Sequence, residues 1–146
     1  MSSLREQILQ AAIRAISDIA EPGASGYVAV YREADIPIAR GARFSLTMEW
    51  VSEQVETLLS DGDQCALRVQ LSAMMISGER DDDTLDGLIV AAHKALMADR
   101  TLGGLCQAIY RRAATRGAQV AEAYINQVTH GYEIEYRHRA TDLEAL

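Results

Sequence analysis

The run Glu79 to Leu105, ERDDDTLDGLIVAAHKALMADRTLGGL, most constrains what this chain can fold into. It holds a helix start, a one-sided helix and a helix stop in a single stretch. Asp81, Asp82 and Asp83 offer capping side chains and place negative charge at the positive end of the helix dipole. Leu85, Leu88, Ile89, Ala92 and Leu96 recur at helical spacing and form one apolar face. Lys94 and Arg100 put positive charge at the far end, and Gly103-Gly104 stops the run, making Asp99, Thr101, Gly103 and Gly104 candidate structural turn residues. A helix with one apolar face must lie on something. The preceding stretch supplies a platform: Leu67, Val69, Leu71, Ala73 and Met75 alternate with Arg68, Gln70, Ser72 and Met74, as a strand with one covered face does.

The rest of the chain extends this pattern. Ser3 to Ala20 reads as a first helix, with Ser2 or Ser3 as cap, Ile8, Ala12, Ile16 and Ile19 on one face, and Glu21-Pro22-Gly23 as its end. Tyr27 to Arg32 and Phe44 to Trp50 read as strands separated by a loop over residues 33–43. Val51 to Ser60 fits a strand and a helical face equally, and residues 51–63 are expected to form a second loop around the Asp61-Gly62 turn. Cys106 to Arg112 can form a further strand, Thr115-Arg116-Gly117 is expected to turn the chain, Ala118 to Gln127 is again ambiguous between strand and helix, and Tyr132 to Arg137 alternates as a final strand. Residues 140–146 are expected to fray unless a partner holds them. Two helices among runs of strands predict an α+β fold, with both helices packed on one face of a largely antiparallel β-sheet. At 146 residues, 49% of them hydrophobic, residues 1–146 are expected to form one domain with a core that needs neither disulfide nor metal.

Charge and motifs narrow the function. The net charge is −7, and 13 of the 14 basic residues are Arg. That balance argues against a duplex-wrapping role, which needs clustered Lys and Arg. Arg100, Arg111, Arg112 and Arg116 nevertheless lie in a stretch without an acid, opposite in character to the acidic run from Glu79 to Asp86. Unlike patches of this kind suit self-association, so these four arginines are candidate interaction residues. No signal-peptide pattern and no membrane-length apolar run occurs, so no membrane partner is expected. Cys65 and Cys106 are isolated and read as small apolar packing residues. His93, His130 and His138 lack metal-ligand spacing; His93 is expected to hydrogen-bond beside the helix, and His138 to sit at an exposed strand end. At Asp81–Asp83, capping and solvation outweigh a divalent-ion site. Serine-hydrolase, P-loop, dinucleotide and zinc-protease motifs are absent, so no catalytic, cofactor-binding or metal residue is assigned and an enzyme is disfavoured.

Leu88 to Leu105, LIVAAHKALMADRTLGGL, resembles the tail terminator (tail completion) proteins of long-tailed phages and prophages, of the minor tail protein U type. The matching parts run in family order: the strand Leu67 to Ile76, the acidic turn Asp81 to Asp83, and the helix exit Ala95 to Leu105. The opening SLREQILQAAIRAI is similar to the family's first helix. The resemblance implies a structural, non-enzymatic protein of the virion tail, assembled in the host cytoplasm. It implies a homo-oligomeric ring, a hexamer in the family, that caps the tail tube, stops its polymerisation and presents the head-joining surface. Implied partners are further copies of the chain, the tail tube protein and a head-connector protein, with DNA only as passing cargo. Two other readings stay open: another phage connector, such as a head-closure or tail-tube protein, and a small cytoplasmic ligand-binding or enzyme domain.

Overall fold

In the computed structural model, residues 3–17, 29–31, 44–59, 62–75, 82–120 and 124–139 are described. Two helices, α1 (Leu4–Ile16) and α2 (Asp82–Met97), join five strands: β1 (Ala29–Tyr31), β2 (Phe44–Leu59), β3 (Gly62–Met75), β4 (Ala108–Val120) and β5 (Tyr124–Arg139). The strands form one sheet in the order β1-β2-β3-β5-β4, antiparallel except for the short parallel pair of β1 with β2. The fold is α+β, with a largely antiparallel sheet.

Both helices pack on the same face. α1 starts where the Ser3 hydroxyl accepts the Glu6 N–H at 3.2 Å, and it buries Leu4, Ile8, Leu9, Ala12 and Ile16. The expected stripe of α2, Leu85, Leu88, Ile89, Ala92 and Leu96, is buried to within 1%. Beneath it lie Leu67, Val69 and Leu71 of β3 and Tyr132 and Ile134 of β5, which pair as Leu67 with Ile134 and Val69 with Tyr132. Period-2 alternation puts these residues on one face, so a slip of one residue would expose the whole set. Cys65 and Cys106 are free, buried thiols whose pKa burial pushes up to about 11, as for packing residues rather than reactive ones.

Three sequence expectations need correction. Residues 51–63 are not a loop: β2 runs on to Leu59 and β3 begins at Gly62, paired from Val55–Cys65 to Leu59–Gly62. Register shifts between Trp50 and Ser52 and between Val55 and Thr57 interrupt the alternation of β2. Two such bulges in one strand produce apolar spacings that imitate a helix. His138 is 6% exposed rather than at an exposed strand end, with its Nε2 3.7 Å from a carboxylate oxygen of Asp63. The chain does not turn at Thr115-Arg116-Gly117: β4 runs through these residues, paired with Thr129, Val128 and Gln127, and continues to Val120, while β5 starts at Tyr124 within the stretch 118–127 that the sequence left ambiguous. The expected loop 33–43, the tail 140–146 and Asp81 lie outside the described residues.

Candidate functional site

Among the described residues the sheet has two long open edges. Among the described residues β4 pairs only with β5, so the outer side of a 13-residue strand is unpartnered. On the other side β1 covers β2 only at Ser45, Leu46 and Thr47, leaving β2 from Met48 to Leu59 open among the described residues. Open edges of this length are pairing templates, usually blunted by shortness, proline or charge. Neither strand contains proline. The open half of β2 also carries Trp50, Val51 and Val55, at 43%, 52% and 50% exposure, three of the four exposed large hydrophobics among the described residues. Arg5 of α1 stacks over Trp50 at 4.3 Å and pairs with Glu53 at 3.1 Å, fixing the indole at the rim of the helix layer.

Strand direction makes the two edges complementary. β2 and β5 run one way, and β3 and β4 the other. A second copy placed with its β2 beside β4 therefore continues the antiparallel alternation.

The four candidate arginines do not form one patch. Arg111 lies in register with Tyr132 on the helix-bearing face, whereas Arg112, displaced by the bulge between Arg111 and Ala113, turns to the opposite face. There Arg112 donates through Nε and NH2 to one Glu133 oxygen at 3.0 and 2.7 Å. Arg100 donates through Nε and NH2 to the Ile109 carbonyl at 3.2 and 2.8 Å. Both guanidiniums lie over the Tyr110 ring, at 5.3 Å for Arg100 and 5.0 Å for Arg112. Arg116 belongs to β4, opposite Val128. Arg100 and Arg112 thus shape the start of the edge strand from within the chain, while the exposed Arg111 makes no ion pair among the described residues. The hub role of Tyr110 and the exposed trio in β2 escaped the sequence reading, because both depend on bulges that only strand pairing reveals.

The turn after α2 is built around Asp99. Its carboxylate accepts the Thr101 N–H at 3.0 Å, the Thr101 hydroxyl at 2.7 Å and the Gly103 N–H at 2.8 Å. These bonds hold the Asp99 carboxyl below its ordinary range, led by the Thr101 side chain. Leu102, Gly103 and Gly104 follow with φ of 49°, 73° and 89°. This turn ends the helix and delivers the chain to β4.

The face away from the helices carries a groove of about 680 Å³ lined by Arg68, Gln70, Arg112, Glu133 and Glu135 among others. It is bounded by the two bulged residues, Val51 and Arg112, one from each edge strand. Glu133 and Glu135 stand there with Arg68 and Arg112, a mixed rather than a basic surface. Among the described residues no three His, Cys, Asp or Glu side chains group to hold a metal ion. No described helix is long and apolar enough to cross a membrane.

No family model matches this chain, and no curated protein matches its sequence. Its fold is similar to that of a chain in the virion of a native gene transfer agent particle, at a TM-score of 0.55 and 14% identity, covering 93% of this chain and 92% of that one. A chain from the sheath/tube terminator of an extracellular contractile injection system, in the extended state, aligns at a TM-score of 0.47 and 8% identity over 98% of this chain and 59% of that one. The second likeness falls too low to carry weight.

Proposed function

We propose that this chain is a structural protein of a phage-like tail, of the terminator type. It assembles into a closed ring on the end of the tail tube, stops tube growth and presents a surface to the head connector. The observation that carries the reading is the pair of open, oppositely placed and antiparallel-compatible edges, β4 and the outer half of β2. Pairing unlike edges is a heterologous contact, which closes into a ring when the rotation per subunit allows it. The chain's similarity in fold to a chain of a gene transfer agent virion supports a particle component. The ring is taken to be a hexamer on the resemblance of Ala95 to Leu105 to the terminator family. The arginines at 100, 111, 112 and 116 then flank the contact, and the mixed charge of the helix-distal face suits a channel that lets DNA pass without gripping phosphate.

The test blocks the edge. Successive residues of a strand turn their N–H groups to opposite sides, so of Ala113 and Ala114 one points outward and the other toward β5. Ala113→Pro and Ala114→Pro should therefore differ: one variant stays folded and loses ring formation in sedimentation velocity, and the other loses stability. Wild-type ring formation in the variant that stays folded would remove β4 from the contact. Rings that stack into long tubes without a template would indicate a tube protein instead of a terminator.

A further inference from the structure

We propose that His93, Tyr132 and His130 form a proton-sensitive latch that holds α2 on the sheet at neutral pH and loosens it in acid. The three rings lie together where α2 crosses β5. His93 stacks on Tyr132 with centroids 5.8 Å apart, and the two imidazoles meet edge to face at 6.2 Å. The Tyr132 hydroxyl is 2.7 Å from His93 Nδ1 and 3.4 Å from His130 Nδ1, beneath a helix that otherwise presents only apolar side chains to the core.

One hydroxyl has one proton and two lone pairs. It uses both its proton and a lone pair within the cluster when it donates to one Nδ1 and accepts from the N–H of the other, an arrangement that takes the neutral imidazoles in opposite tautomers. Protonating His130 limits this arrangement. Its Nδ1 becomes a donor, so the Tyr132 proton has only His93 Nδ1 as acceptor within the cluster, and a positive ring stands against the stacked pair. Arg111 of β4, in register with Tyr132, adds a second positive charge. Asp86, two turns before His93 on α2, is the one carboxylate acting on His130 among the described residues. The β3 residues in these rows, Val69 opposite Tyr132 and Leu71 opposite His130, are uncharged.

The sign follows from His130. Burial, then the charges of Arg111 and His93, hold its pKa below the ordinary imidazole value. An opened helix leaves the ring in water, where it binds a proton more tightly. Opening is therefore favoured as pH falls below about 6.5, the free imidazole range, and the latch is fully engaged above it.

Amide exchange across Leu85 to Leu96 in the full chain, corrected for intrinsic rates, reads the latch directly. Protection should be level above about pH 7 and fall by up to about tenfold per pH unit below about 6.5, until His130 takes up its proton in the closed state as well. His130→Gln should stay level to pH 5. A His130→Gln variant that loses protection as the wild type does would overturn the latch. The unaltered protein gives a second reading: the midpoint of the His130 ring-proton shift in NMR should lie below the free imidazole range and mark the lower end of the fall in α2 protection. A His130 that titrates while α2 stays equally protected also overturns it. Neither measurement scores ring formation, so failure of the latch and failure of the ring reading are told apart.

Discussion

Leu88→Ala probes the contact on which the fold rests, the packing of α2 on β3 and β5. Leu88 is fully buried above Leu67, Val69 and Leu71, which are themselves at most 1% exposed. Truncation removes three carbons, worth about 2.4 kcal/mol at roughly 0.8 kcal/mol for each buried methylene. The cavity left behind raises the total, because strands paired on both sides cannot collapse into it, and about 2–5 kcal/mol is the expected range. For a chain of this size that lowers the melting temperature by roughly 6–15 °C. Val90 is the control on the same helix: it is 42% exposed, and Val90→Ala should change stability by about 0.5 kcal/mol or less. Thermal and urea unfolding of both variants measure the difference. A Leu88→Ala melting temperature within about 2 °C of wild type would refute the packing of α2 on the sheet.

Four further outcomes are expected. Gly103→Val should cost about 1–2 kcal/mol by urea titration, from its φ of 73° alone, since a Cβ there meets nothing within 4 Å. Gly62→Ala should be far more damaging than Gly131→Ala: a Cβ at Gly62 runs into the His138 carbonyl oxygen, whereas one at Gly131 meets the Ala113 Cβ at an ordinary 3.7 Å. Asp99 has a lowered folded pKa, so its contribution is present above the free carboxylate range near pH 4 and is lost as pH falls through the folded value. Asp99→Asn should therefore melt below wild type at pH 7 and converge with it in acid. Replacing Arg111 and Arg112 by Glu should weaken assembly and change its salt dependence in analytical ultracentrifugation, while leaving the monomer folded.

Much of the architecture was legible in the sequence. The α2 stripe, the β3 alternation and the first helix each carry a strong periodicity, and all three produce the buried core. β2 beyond Trp50 and the middle of β4 were not legible, because bulges break the alternation that a strand is recognised by. Their strand character comes from hairpin pairing with the next strand, β2 with β3 and β4 with β5, which the periodicity of one strand alone does not report. The candidate arginines were visible only as a run without acids. Neighbours in a strand face opposite ways, so Arg111 and Arg112 could not share a surface, and Glu133, which holds Arg112, lies 21 residues on. His138 was misplaced for a related reason. It looks terminal between Arg137 and Arg139, but β5 pairs with β3 through that point, opposite Asp63.

Native mass spectrometry of the purified chain, with electron microscopy of the same sample, tests the central proposal most directly. The open edges predict one discrete closed ring, six times the 16.0 kDa of the chain for a hexamer. A chain that stays monomeric at every concentration with or without tail tube, or that grows into open-ended filaments, would contradict it.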